Sequence, residues 1–130
     1  MKKILLFFSF IFLFSSFSQT KIKYFEGIAS YYSNKFNGRL TANGNIFSNT
    51  KYTAASNKIP LESIVKVTNL KNNKHVIVYI NDHMNKNNKR LIDLSRKAAT
   101  QLKFINQGIC QVKVEVISSP STLQEIPENL

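Results

Sequence analysis

The chain has 130 residues, with 18 Lys and Arg against 7 Asp and Glu, and a formal charge of +11. That length holds one modest domain and hardly more, and the single cysteine, Cys110, rules out an intramolecular disulfide, so packing alone must stabilise the fold. The charge favours a polyanionic partner or surface, although Lys and Asn are spread along the whole chain, which equally suits a solvated basic surface.

The first residues predict export. Lys2 and Lys3 precede an apolar run, Ile4 to Phe14, broken only by Ser9, and Ser16-Phe17-Ser18 supplies small residues before Gln19. A positive start, a short apolar core and a small-residue exit mark a secretory signal, here residues 1–18. A spanning helix needs roughly 20 apolar residues, and this run is shorter. No cysteine lies near the cleavage point to carry a lipid anchor. The expected location is periplasmic or secreted, with no stable membrane anchor. Residues 19–24 are read as a lead-in, 25–118 as the compact domain, and 119–130 as a flexible, polar, acidic tail.

Tyr24–Ser33 reads as a first strand, with Gly27 and Ala29 allowing close packing. Phe36–Asn49 is loop-like, with Gly38 and Asn43-Gly44 as turn signals. Tyr52–Ala55 is a short apolar stretch, and Pro60 punctuates the chain before a strand over Ile64–Asn69. That strand forms a hairpin with Lys74–Ile80 across Leu70-Lys71-Asn72-Asn73. Asp82–Lys89 is polar and aperiodic, hence a loop. Leu91–Leu94 is short and apolar around Asp93. A helix is expected over Ser95–Phe104, where Leu94, Ala98 and Leu102 recur at four-residue spacing and Asp93 or Ser95 can cap the free N–H groups. Cys110, Val112, Val114 and Val116 alternate with polar residues as a half-buried strand, in which Cys110 is expected to be a buried small hydrophobe. Short strands with one short helix in this length predict a small β-barrel, and pattern alone does not say which.

Six motifs occur in a set order: Gly27-Ile28-Ala29-Ser30-Tyr31-Tyr32; Phe36-Asn37-Gly38-Arg39 with Thr41-Ala42-Asn43-Gly44; Thr53-Ala54-Ala55; Val65-Lys66-Val67-Thr68-Asn69-Leu70; Val78-Tyr79-Ile80-Asn81-Asp82; and Arg90-Leu91-Ile92-Asp93-Leu94-Ser95. This series resembles the RlpA (rare lipoprotein A) family of lytic transglycosylases over about Gly27 to Ile117. The resemblance implies a mainly β fold, a six-stranded double-psi β-barrel with one or two short helices, related to the first domain of expansins. It also implies a groove for peptidoglycan glycan strands stripped of their stem peptides. No SPOR-type peptidoglycan-binding domain follows in this sequence, so septal targeting is not expected.

Lytic transglycosylases break a glycosidic bond without water. An acid protonates the glycosidic oxygen, and the sugar's own 6-hydroxyl then attacks to leave a 1,6-anhydro end. The family pattern places an acid after Thr-Ala-Ser/Asn-Gly, a His after Thr-Ala-Ala, and an Asp at the end of the Asn-Asp strand. Here these positions hold Asn45, Ser56 and Asp82, and only the last keeps its titrating group. Asp82, where an apolar strand opens into a polar loop, is therefore the expected acid/base residue, although an Asp there can also bond its own loop. His83 is a second candidate, because an imidazole exchanges protons near pH 6.5, but neighbours on an extended chain point apart.

Asn45, Ser56, Tyr32, Phe36, Arg39 and Arg90 are the expected substrate contacts. Tyr31, Tyr32, Phe36 and Phe47 can stack on sugars or simply fill the barrel, and alternation allows at most one of Tyr31 and Tyr32 to line the groove. Lys35, Arg39 and Arg90 can meet wall carboxylates or solvent. Asp93 reads as the helix cap, while His75, Glu26 and Glu62 read as surface.

No His, Cys and carboxylate cluster has metal-ligand spacing, so no metal and no cofactor is expected. Cys110 lacks an evident His partner for thiol chemistry. Loss of the titrating groups at Asn45 and Ser56 keeps an alternative open, a non-cleaving, expansin-like wall-binding or wall-loosening domain. A basic nucleic-acid-binding barrel suits the charge but not the export signal, so no nucleic-acid partner is expected, and the chain is expected to be a monomer.

Overall fold

A computed structural model of the chain describes residues 22–120. The signal over residues 1–18 lies outside them, as does nearly all of the tail. Six strands, β1 (Tyr24–Tyr31), β2 (Thr53–Ala55), β3 (Ile64–Asn69), β4 (His75–Asp82), β5 (Ile92–Leu94) and β6 (Cys110–Ser118), close into a barrel in the order β1-β5-β2-β4-β3-β6. One short helix, α1 (Arg96–Gln101), follows β5.

The sheet is mixed. β1 pairs antiparallel with β6 and parallel with β5, and β2 pairs parallel with β4 and antiparallel with β5. β3 runs antiparallel to both β4 and β6. Period-two alternation supplies the core: Val65 and Val67, Val76, Val78 and Ile80, and Val112 and Val114 all point inward and are buried. Closure removes the free edges that short strands would otherwise expose.

Gly27 lets β1 approach the chain before β5. A Cβ there would stand 2.8 Å from Cβ of Leu91, closer than packed carbons tolerate. The expected β3–β4 hairpin forms. Its turn places Asn73 at φ 60° and is tied by Asn73 N–H to Asn69 O at 2.8 Å.

Three local expectations need correcting. Helix α1 stops at Gln101, short of Phe104, because Lys103 turns left-handed at φ 57°. Ser95 alone caps it, accepting from Ala98 N, while Asp93 lies in β5 and bonds elsewhere. Leu94, Ala98 and Leu102 are all buried, as their spacing predicts, but Leu94 contributes from the strand. Cys110 is half-buried at the edge of the core. Its burial raises the thiol pKa, which the Lys71 charge partly opposes.

Candidate active site

Strand β4 ends at Asp82, whose half-buried carboxylate gathers three donors. Oδ1 accepts from Ala42 N at 3.0 Å and from His83 N at 2.9 Å, and Oδ2 accepts from the Tyr32 hydroxyl at 2.7 Å. A carboxylate offers about four lone-pair sites. Oδ1 has used both of its own, and Oδ2 keeps one for a ligand. The donors come from three segments: the chain just after β1, the Thr41–Asn45 loop and the loop that begins at His83.

Tyr32 is clamped in this position. Its ring stacks on Phe47 with centroids 4.2 Å apart and meets Phe36 edge-on at 5.7 Å. Burial first, then the bond to Asp82 and the negative charges of Asp82 and Asp93, push the phenol far above its ordinary pKa of 10. Tyr32 therefore stays a donor, fixing the carboxylate without competing for its proton.

Asn49 sets the backbone beneath. It is 6% exposed, and its amide donates to Tyr32 O at 3.2 Å and Asn34 Oδ1 at 2.8 Å while accepting from Arg96 N at 2.9 Å. One side chain thus ties the end of β1 to the first turn of α1.

A hollow opens beside Asp82, bordered by Tyr32, Phe36, His83, Arg90 and Asp93 among others. Tyr31 borders it too, against the expectation that only one of the two tyrosines would. The chain leaves the strand after Tyr31, so alternation lapses there. The Tyr31 hydroxyl still turns away, to Ile105 O at 2.8 Å.

Asp93 is a second carboxylate on the hollow, bonded by Ser30 Oγ and by Arg90 Nε at 3.1 Å. It neutralises Arg90 instead of capping the helix. The His83 ring lies by Ser56 O, with Nδ1 3.4 Å away, and is exposed.

The other expected contacts are dispersed. Arg39 lies 5.1 Å and Lys35 5.2 Å from the centre of the Phe36 ring, and both cations extend the aromatic wall. Ser56 is fully buried. Its hydroxyl donates to Leu91 O at 2.8 Å and accepts from Lys58 N and Ile59 N. It closes a turn and does not border the hollow at Asp82. Asn45 is exposed and borders a different hollow, sharing no lining residue with the one at Asp82. Sequence reasoning missed the Tyr32–Asp82 bond and the roles of Phe47, Asn49 and Ser30. Only the motif order hinted at them, since Tyr32 and Asp82 lie 50 positions apart.

Among the described residues no group of three His, Cys, Asp or Glu side chains could hold a metal, and no helix is long and apolar enough to cross a membrane.

A family model described as "Lytic transglycolase" matches residues 24–114. An endolytic peptidoglycan transglycosylase RlpA of Haemophilus influenzae is 49% identical over 92 residues, covering 71% of this chain and 32% of that protein. Its counterpart in Pasteurella multocida is 51% identical over 92 residues, covering 71% and 31%. The chain thus spans about a third of the length of these relatives. A Streptomyces papain inhibitor superposes with a TM-score of 0.61 at 20% identity, covering 74% of this chain and 96% of that one. An expansin of Clavibacter michiganensis gives 0.59 at 19% identity, covering 75% and 52%. These two likenesses extend to the fold alone.

Proposed function

The chain belongs to the RlpA-like lytic transglycosylase family of double-psi β-barrels, and from that premise we propose that its barrel cleaves peptidoglycan glycan strands with Asp82 as the proton-transferring residue. The observation that carries this reading is the convergence of three donors on Asp82 at the edge of an open hollow, with one lone pair of Oδ2 left over.

The reaction balances on one carboxyl group. Asp82, once loaded with a proton at the free position of Oδ2, gives it to the glycosidic oxygen as the C1–O bond breaks. The carboxylate left behind faces the oxocarbenium-like centre, a charge-stabilising arrangement that is strongest where the group is already held in place. It then takes the proton of the 6-hydroxyl as O6 bonds to C1. The carboxyl returns to its starting state, a 1,6-anhydro end forms and no water is consumed. Tyr32, Ala42 N and His83 N keep the carboxylate aimed, and Phe36 offers an apolar face to a sugar ring.

Such a substrate requires the barrel to work outside the cytoplasmic membrane, the destination expected from residues 1–18.

A second reading is favoured by one observation. Asn45 lacks a titrating group, and Ser56 is buried in a turn. With both family positions silent, the domain would bind strands without cutting them, as a wall-loosening module.

The two readings part on a single assay. Purified, stem-peptide-free glycan strands are incubated with the protein and analysed by mass spectrometry. New 1,6-anhydro ends support cleavage. Intact strands that nevertheless co-sediment with the protein would reject it and leave the binding module.

A further inference from the structure

Strand β4 turns Val76, Val78 and Ile80 into the core and Ile77, Tyr79 and Asn81 to the outside. Asn81 is nonetheless only 3% exposed. The loop after β1 folds over it: Asn43 N donates to Asn81 O at 3.2 Å, and Asn43 Nδ2 reaches the Tyr79 hydroxyl at 3.4 Å. Beneath this loop Asn81 Oδ1 is buried with no hydrogen-bond partner. So is Oγ1 of Thr53, which sits opposite Tyr79 in the neighbouring strand. Four described side-chain atoms are buried and unpaired, and the residues that carry these two, Asn81 and Thr53, border the same hollow. Buried polar groups are nearly always paired, so such exceptions call for an explanation.

The hollow has a volume of about 480 Å³, within the ~300–1,000 Å³ range of small-molecule sites. Gly44, Asn45, Ile46, Ser48, Lys51 and Tyr79 complete its walls, and no carboxylate borders it. It lies across the Thr41–Asn45 loop from the catalytic hollow, since Ala42 N reaches Asp82 while the next residue's N–H reaches Asn81.

We propose that this hollow, floored by Asn81 and Thr53, receives the 2-acetamido group of an N-acetylated sugar adjacent to the one held at Asp82. The proposal rests on the glycan-strand reading above. An acetamide has one N–H, one carbonyl and one methyl. Asn81 Oδ1 accepts the N–H, the Thr53 hydroxyl donates to the carbonyl, and the methyl meets Ile46, whose side chain is otherwise largely exposed. Both polar atoms are withdrawn from solvent, so they engage by rotating into the hollow that their side chains already line. A neutral, mixed polar and apolar group fits a site without acids, and leaves Lys51 free at the rim.

The test separates this site from the chemistry at Asp82. The full chain carrying Asp82→Asn is titrated with chitotetraose and with cellotetraose, which has a hydroxyl in place of each acetamido group, by calorimetry and by amide NMR shifts. The proposal expects chitotetraose to bind about tenfold more tightly, the worth of one to two net hydrogen bonds. Thr53→Val and Asn81→Leu should each weaken chitotetraose roughly fivefold and leave cellotetraose unchanged, with the Ser48, Thr53 and Asn81 amides shifting for chitotetraose only. Equal affinities for the two sugars, or variants that bind like the parent, would overturn it. If Asn81→Leu does not fold, the near-isosteric Thr53→Val decides alone. Anhydro ends from the wild-type chain together with equal affinities would sink the acetamido site and spare the cleavage reading. Selective binding without anhydro ends would do the reverse.

Discussion

The Tyr32 phenol donates a 2.7 Å hydrogen bond to Oδ2 of Asp82, joining residues 50 positions apart in the chain. This bond ties the end of β1 to the end of β4, and its removal should be measurable in two ways. Tyr32→Phe keeps the ring stack on Phe47 and loses only the hydroxyl, so denaturant unfolding at neutral pH should show a loss of about 1–2 kcal/mol, as expected for a partly buried bond to a charged acceptor. The phenol's pKa is raised in the folded state by burial and by Asp82, whereas an unfolded tyrosine titrates near 10. The stabilising difference between wild type and Tyr32→Phe should therefore be fully present below pH ~10 and shrink as pH rises above it. A difference that grew with alkalinity would contradict this geometry.

Asn49→Ala should unsettle the same region from below. Its side chain accepts from Arg96 N and donates to Tyr32 O and Asn34 Oδ1 while almost wholly buried. Three lost bonds, with part-buried partners left to solvent, should cost about 1–3 kcal/mol in chemical unfolding. Hydrogen exchange should quicken at the start of α1 as well as at Tyr32. Faster exchange at α1 alone would separate the two ends that Asn49 is held to join.

Gly27→Ala places a methyl group 2.8 Å from Cβ of Leu91. Overpacking of this kind costs about 1–3 kcal/mol, so the melting temperature should fall by several degrees for a domain of this size. Leu91→Ala keeps that Cβ, so adding it to Gly27→Ala should not relieve the clash. A double variant more stable than Gly27→Ala alone would contradict this geometry.

The two family positions that have lost their titrating groups should respond differently to restoration. Asn45 is exposed and borders the other hollow, so Asn45→Glu should fold normally and leave the rate of anhydro-end formation at Asp82 little changed. Ser56 is 0% exposed and its hydroxyl satisfies the turn. Ser56→His should therefore destabilise the domain by about 2–3 kcal/mol with no gain in rate. Stability measured by urea unfolding and rate measured on glycan strands together check the contrast.

The sequence reading carried most of the barrel because alternation is a strong signal in β3, β4 and β6, where Val65 and Val67, Val76, Val78 and Ile80, and Val112 and Val114 are buried at alternate positions. It placed the helix but overran its end, since nothing in Lys103 announces a left-handed residue in the way that glycine does. Asp93 shows where local reasoning misleads. A carboxylate just ahead of a helix suits a cap, yet Ser95 does the capping and Asp93 turns to Arg90 and Ser30. Asp82 was found from its position at a strand end. Its partners were not, because contacts between β1, the Thr41–Asn45 loop and β4 depend on how the barrel closes. The separate placement of Asn45 and the burial of Ser56 are likewise products of closure, invisible to spacing.

Proton transfer in this barrel is assigned to Asp82, and replacing that one carboxyl decides the assignment. Wild-type and Asp82→Asn chains, shown by circular dichroism and thermal melting to be folded, are incubated with stem-peptide-free glycan strands, and 1,6-anhydro ends are counted over time. The account predicts steady product from the wild type and a loss of at least about a hundredfold in Asp82→Asn, the usual scale for removing an acid/base group, with strand binding kept. Product formed at the wild-type rate by Asp82→Asn would contradict it.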